Sequence, residues 1–203
     1  MHIPIKFGIE LEMGNYDAGN YYTELGIFLS KVTSFPFTFY DPALHKSKKN
    51  YSLGEDGSGC AELRTPIYKN IKQLQKLKII VNYLSKFFEI YKFNGMHIHI
   101  STDKKYKLNY QKFQKDIWRT FSKNIWPRRK IFCRNFLLTS SGYNNLAIKG
   151  CVHKVNGNHA EVRIFNSTFN FALIEKRVKK VIDLYQKNVT LTEKTSVRIG
   201  KNK

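Results

Sequence analysis

Glu10 and Glu12 sit two residues apart in Ile-Lys-Phe-Gly-Ile-Glu-Leu-Glu-Met, residues 5–13. Apolar side chains fall at Ile5, Phe7, Ile9, Leu11 and Met13, with Lys6, Gly8, Glu10 and Glu12 between them. That period of two reads as a half-buried strand carrying both carboxylates on its polar face. Same-face neighbours stand about 6.5–7 Å apart, and at an effective dielectric near 20 two carboxylates at that distance repel by roughly 2 kcal/mol. A cation between them removes the repulsion, and Mg²⁺ or Mn²⁺ suits carboxylate oxygens. Two ordinary acids on a solvent-facing strand are the competing reading.

Two further segments repeat the pattern. After Asn94-Gly95, the residues Met96, Ile98 and Ile100 alternate with His97, His99 and Ser101. One strand face is therefore His, His, Ser, a set able to bind a borderline metal or to hydrogen-bond phosphate oxygens. After Asn156-Gly157, Ala160, Val162 and Ile164 alternate with Glu161 and Arg163. Glu161 and Arg163 are either an internal salt bridge or a metal carboxylate beside a phosphoryl-clamping guanidinium. Glu62, in Ala-Glu-Leu-Arg-Thr-Pro after the turn residues Glu55 to Gly59, is a fourth candidate carboxylate. Together these residues suggest a polynuclear metal–phosphate site on one sheet face.

The elements that must position them follow from periodicity and punctuation. Helices are expected over residues 20–33, 69–91, 109–138 (interrupted near Trp126-Pro127) and 170–187, and short strands over 37–40 and 60–64. Strands and helices do not alternate regularly, which favours an α+β fold with a curved, largely antiparallel sheet flanked by helices. No repeat or linker divides the chain, so residues 1–188 read as one catalytic domain and 189–203 as a basic, flexible C-terminal tail.

Composition narrows the classes. At 203 residues, 42% of them hydrophobic, the chain is long enough for a core without disulfides or a structural metal. Cys60, Cys133 and Cys151 are too scattered for a disulfide framework or a thiolate zinc site, and a cytoplasmic, reducing compartment is expected. No stretch approaches the roughly 20 apolar residues of a membrane span, so no membrane partner is expected. Lys and Arg total 35 against 15 acids, a net charge of +20, which points to a polyanionic partner or to a Lys- and Asn-rich composition alone. The basic residues concentrate in 103–134, where Trp118 and Trp126 offer either stacking surfaces for nucleic acid or buried core aromatics.

Four segments, in order, resemble the amidoligases, the compact branch of the glutamine synthetase and glutamate–cysteine ligase superfamily. Phe-Gly-Ile-Glu-Leu-Glu (7–12) resembles the Gly-x-Glu-x-Glu first strand, and Glu-Asp-Gly-Ser-Gly-Cys-Ala-Glu-Leu-Arg-Thr-Pro (55–66) the Asp-Gly-Ser turn with its following Glu. Asn-Gly-Met-His-Ile-His-Ile-Ser (94–101) is similar to the Gly-x-His-x-His-x-Ser strand, and Ala-Glu-Val-Arg-Ile-Phe-Asn-Ser-Thr (160–168) to the late Glu-x-Arg strand. The resemblance spans most of residues 5–170. It implies a glutamine synthetase catalytic-domain-like sheet binding ATP and Mg²⁺ (or Mn²⁺). Glu10, Glu12, Glu62, His97 and Glu161 would be metal ligands, His99 and Ser101 would face the nucleotide, and Glu62 and Arg163 would serve catalysis, with Arg163 on the transferring phosphate. The implied reaction joins a small-molecule or peptide carboxylate to an amine through an acyl phosphate. His159 departs from glutamine synthetases, which have Arg there; Lys149, Arg128, Arg129 or Arg134 are the candidate replacements on the nucleotide side. Small members occur in phage genomes, with which the composition is compatible. The alternative is a non-catalytic, basic nucleic-acid-binding protein on a degenerate ligase scaffold.

Overall fold

A computed structural model describes residues 3–14, 21–39, 49–55, 60–124 and 151–192. In chain order the elements are β1 (Ile5–Met13), α1 (Tyr21–Thr33), β2 (Phe37–Phe39), β3 (Tyr51–Glu55), β4 (Ala61–Arg64), α2 (Gln75–Leu84), β5 (Gly95–Thr102), β6 (Tyr106–Leu108), α3 (Tyr110–Phe121), β7 (Val152–Asn156), β8 (His159–Asn166), α4 (Phe171–Lys187) and β9 (Val189–Leu191). Seven strands form one sheet in the order β2-β3-β4-β1-β5-β8-β7, and β6 pairs with β9. Every neighbouring pair in the large sheet is antiparallel except β2 with β3, so the α+β, largely antiparallel expectation holds. No helix among the described residues is long and apolar enough to cross a membrane.

The strict alternation of β1 places it at the centre, between β4 and β5. Its five apolar residues are buried while the intervening ones are half-buried. They join Ile98 and Ile100 of β5, Val162 and Ile164 of β8, and the buried stripes of the four described helices in one core. The helices therefore cover one face of the sheet, and the polar faces of β1, β5 and β8 look the other way.

Asparagines set several helix starts. Asn70 makes a capping box with Gln73 at the 3₁₀ turn leading into α2, Asn109 accepts from Lys112 N–H at 3.1 Å, and Asn170 accepts from Leu173 N–H at 3.1 Å. The expected helix over 69–91 is shorter at both ends. The 3₁₀ turn Ile71–Leu74 precedes α2. After Leu84 the chain leaves the helix to bridge Gly14, with Gly14 N–H donating to Glu89 O at 2.8 Å. A tertiary backbone pairing thus overrides a helical pattern whose last apolar residue, Phe88, is buried all the same. The expected tail also begins as structure: Val189–Leu191 is β9, paired with β6, because Asn109 N–H reaches Asn188 O at 2.8 Å and holds the two segments side by side.

The β7–β8 hairpin brings the third polar face into register. Asn156 pairs with His159, leaving Gly157-Asn158 as a two-residue loop, with Gly157 at φ 45. Glycine at the first loop position is the type II′ arrangement that matches strand twist. Asn158 then ties the tip down. Its Oδ1 accepts from Leu108 N–H at 3.1 Å, its Nδ2 donates to Asp103 O at 3.2 Å and to Tyr106 O, and its backbone oxygen accepts from Tyr185. Asn158→Ala removes three side-chain hydrogen bonds and is expected to cost about 2 kcal/mol. Urea unfolding checks this; a loss under about 0.5 kcal/mol would mean that the tip is held by the strands alone.

Candidate functional site

Register decides which polar residues meet. Glu12 of β1 lies directly opposite Glu62 of β4, and Glu10 lies between Arg64 of β4 and His97 of β5. One step along, Gly8 faces His99, which faces Glu161 of β8, which faces His153 of β7. Between Met96 and Ile98 the β5–β8 register shifts, so Arg163 and Ile164 of β8 together face His97. Arg163 shares the Glu161 side of β8 by alternation, and the extra residue of the bulge lets Ile164 and Phe165 both stay buried.

His97 is the hub. It is 3% exposed, with Nδ1 at 3.3 Å from Glu10 Oε2 and 3.5 Å from Glu161 Oε1, and Nε2 at 3.3 Å from Glu12 Oε1. Glu12 also accepts from Gly95 N–H. Arg64 Nε lies 3.3 Å from Glu10 Oε1 and hydrogen-bonds Glu62, which is buried. Arg163 hydrogen-bonds Glu161. His99 Nε2 stands 3.2 Å from Glu10 Oε1 while its Nδ1 meets His159 Nε2 at 3.1 Å. His153 Nδ1 reaches Glu161 Oε2 at 3.3 Å.

In a chain of net charge +20, this face is locally acidic: four carboxylates (Glu10, Glu12, Glu62, Glu161) against two guanidinium groups (Arg64, Arg163). Burial pushes the Glu10 carboxyl up, but contacts with His97 and His99 and the charges of His99 and Arg64 outweigh it, leaving Glu10 far below the usual carboxylate range. Burial likewise works against Glu161, and Arg163, His99 and His97 pull it below its ordinary value. His99 moves the other way: burial lowers it, but adjacent Glu10 and the charge of Glu161 raise it overall, against Arg64. The cationic groups around Glu10 and Glu161 hold these two in the carboxylate form.

The expected ligands Glu10, Glu12, Glu62, His97 and Glu161 all reach this face. Yet among the described residues the set whose ligand atoms fall within 4.8 Å of one another is Glu10, His99 and Glu161. His99, expected to face the nucleotide, thus stands with two of the carboxylates expected as metal ligands. Ser101 shares the face, opposite Lys6, one same-face position beyond His99. Lys149, Arg128, Arg129 and Arg134 lie outside the described residues.

Arg64 and His153 escaped the sequence reading. Arg64 follows Glu62 by two, so the alternation applied to the longer strands would have put both on one face. His153 is legible only through its pairing with Glu161, because β7 is short and its register shifts after Lys154. The alternative site fares differently. Lys112, Lys115 and Arg119 of α3 are exposed, but α3 packs on the apolar side of the sheet, away from the Glu/His face. Trp118 is partly buried against the core rather than a free stacking surface, and Trp126 lies outside the described residues. Cys60 and Cys151 are buried among core residues.

Comparison with family models, curated proteins and solved structures finds no match to this chain.

Proposed function

We propose that the Glu/His face is the catalytic centre of an ATP- and Mg²⁺-dependent (or Mn²⁺-dependent) carboxylate–amine ligase on a glutamine synthetase-like sheet. The observation that carries this reading is the pairing of Glu12 directly against Glu62, with Glu10 and Glu161 converging on the same buried imidazole, His97. Four carboxylates gathered on one face call for cations between them, and hard divalent ions are the chemistry that holds such oxygens together. The resemblance of the motif-bearing strands to amidoligases gives the reaction class.

In this reading Glu10, Glu12, Glu62, His97 and Glu161 hold metal, and His99 joins them. Contacts to the nucleotide then fall to Ser101 and Arg163. Bound Mg²⁺ supplies charge neutralisation and orientation for phosphoryl transfer. A substrate carboxylate oxygen attacks the γ-phosphorus and ADP leaves; an amine then attacks the acyl carbon, loses its proton and expels inorganic phosphate, leaving an amide. Arg163, hydrogen-bonded to Glu161, is the guanidinium that meets phosphate charge as it develops. Glu62 keeps Arg64 against Glu10 and so fixes the far wall of the site.

Calorimetry of ATP with Mg²⁺ or Mn²⁺, on wild type and on Glu10→Ala/Glu12→Ala, tests the proposal. Metal-dependent nucleotide binding lost in the folded variant is expected, followed by ADP and amide formation with pooled amino acids or peptides. A folded wild type that binds no nucleotide with either ion overturns it. If that protein instead binds DNA or RNA with a steep salt dependence unaffected by EDTA, the exposed cations of α3 are its working surface.

A further inference from the structure

Single exposed apolar side chains are ordinary on a protein surface, whereas a contiguous patch of them marks a contact. Among the described residues ten large apolar side chains are exposed, and five of them, Ile27, Phe28, Val32, Ile79 and Phe87, lie on α1, on α2 or just after α2. Each of the five is between 40% and 50% exposed. They form one surface rather than separate spots. The Phe28 ring of α1 meets the Tyr83 ring of α2 edge-on with 6.1 Å between centroids, and the Phe87 ring in the same way at 6.4 Å. Ile27, Phe28 and Val32 lie on the side of α1 away from the buried Leu29 and Thr33, and Ile79 on the side of α2 away from the buried Leu77, Ile80, Val81 and Leu84. Both helices are therefore apolar inward and outward, a pattern that belongs to helices covered on both sides.

Lysines frame this surface. Lys31 is exposed on α1 between Phe28 and Val32. Lys86 Nζ stands 5.2 Å from the centre of the Tyr83 ring, and Lys76 Nζ 5.0 Å from that of Phe35, just beyond α1. No Asp or Glu occurs in α2, and the one acid of α1, Glu24, lies in its first turn. We propose that the outer face of α1 and α2 is a docking site for an acidic amphipathic helix of another protein. Its apolar side chains would lie across Phe28, Tyr83 and Phe87, with its carboxylates toward Lys31, Lys76 and Lys86. Charge decides the occupant. A second copy would bring the same lysines together in a chain of net charge +20, whereas carboxylates complement them. Anchors at i, i+3, i+4 and i+7 give such a helix the continuous apolar stripe that an aromatic surface spanning two helices can cover. The surface does not depend on the ligase reading, because α1 and α2 pack on the apolar side of the sheet, away from the Glu/His face.

The test is fluorescence anisotropy of fluorescein-labelled helical peptides with the full chain at physiological ionic strength. One peptide carries Leu and Phe at i, i+3, i+4 and i+7 with Glu elsewhere; a second has Lys in place of Glu, and a third has Ala in place of the apolar anchors. Wild type is expected to bind the first about tenfold or more tightly than either of the others. Phe28→Ser/Phe87→Ser is expected to lose about tenfold or more on the first peptide, and Lys31→Glu/Lys86→Glu to shift its preference toward the Lys peptide. Wild type that does not bind the first peptide overturns the proposal. Equal binding of the third does so too, because net charge alone then accounts for the capture. A Phe28→Ser/Phe87→Ser chain that binds the first peptide like wild type overturns it as well. If that variant fails to fold, the charge-reversed one decides, and an unchanged preference overturns the proposal. Wild type that dimerises in sedimentation, or binds phosphatidylserine vesicles, without binding the first peptide replaces the acidic helix with a second copy or a membrane surface.

Discussion

Arg64→Ala is expected to destabilise the metal-free protein by about 3 kcal/mol, and millimolar Mg²⁺ is expected to restore most of that loss. Removing one partner of a buried ion pair costs roughly 3–5 kcal/mol because the remaining charge stays desolvated. The lower end applies here, since the guanidinium is 27% exposed and water screens it in part. Its neighbours make the effect large. Glu62 is only 4% exposed and pairs across the strands with Glu12, while Glu10, on the other side of Arg64, is held in its carboxylate form. With Arg64 gone, three carboxylates share a corner in which His97 and His99 are the remaining close imidazole partners. A divalent ion bound to that corner replaces the lost charge, and binding to the folded state alone raises stability as its concentration exceeds the dissociation constant. Urea unfolding of wild type and Arg64→Ala, in EDTA and in Mg²⁺, reads both halves. A loss that Mg²⁺ does not touch would make Arg64 a packing residue and remove the ion from the carboxylate corner.

Arg64 also shows where sequence reading stops. Period two in residues 5–13, 96–101 and 160–164 tells which residues share a face, and the structure agrees at every one of those positions. It does not tell which strand lies beside which. That Glu12 meets Glu62 and Glu10 meets Arg64 depends on a pairing between segments some 50 residues apart. The one-residue shift between Met96 and Ile98 is likewise invisible in either strand alone, yet it sets Phe165 rather than Ile164 opposite Met96. His159, legible as a departure from a motif, becomes informative once His99 is seen 3.1 Å away. The end of α2 failed for the converse reason: its apolar spacing continues to Phe88, but the backbone of Glu89 pairs with Gly14 instead. Local pattern specifies faces and helix starts here; cross-strand geometry assembles the chemistry.

The same geometry predicts a stability maximum at mildly acidic pH for the metal-free protein. Glu10 and Glu161 have folded-state values below their ordinary 4.5, so their contributions are present above about that pH and are lost as pH falls through the depressed values. His99 is raised above its ordinary 6.5, so its contribution is complete below about that pH and is lost as pH rises through the raised value. All three contribute fully between the two limits. The groups facing His99 account for the sign: Glu10 from β1 and Glu161 from β8 favour the imidazolium, while Arg64 from β4 and burial oppose it. Urea midpoints from about pH 3 to 9 in EDTA are expected to fall on both sides of that window. Glu10→Gln should flatten both limbs, because it removes one depressed carboxylate and the main partner of His99. A saturating divalent ion should abolish the alkaline limb, since a coordinated imidazole has already released its proton and metal affinity rises with pH. An alkaline limb that survives metal saturation would place the ion elsewhere and leave His99 an ordinary ion-paired histidine. One that is absent in EDTA would mean that Glu10 and Glu161 do not hold His99 charged in the metal-free state.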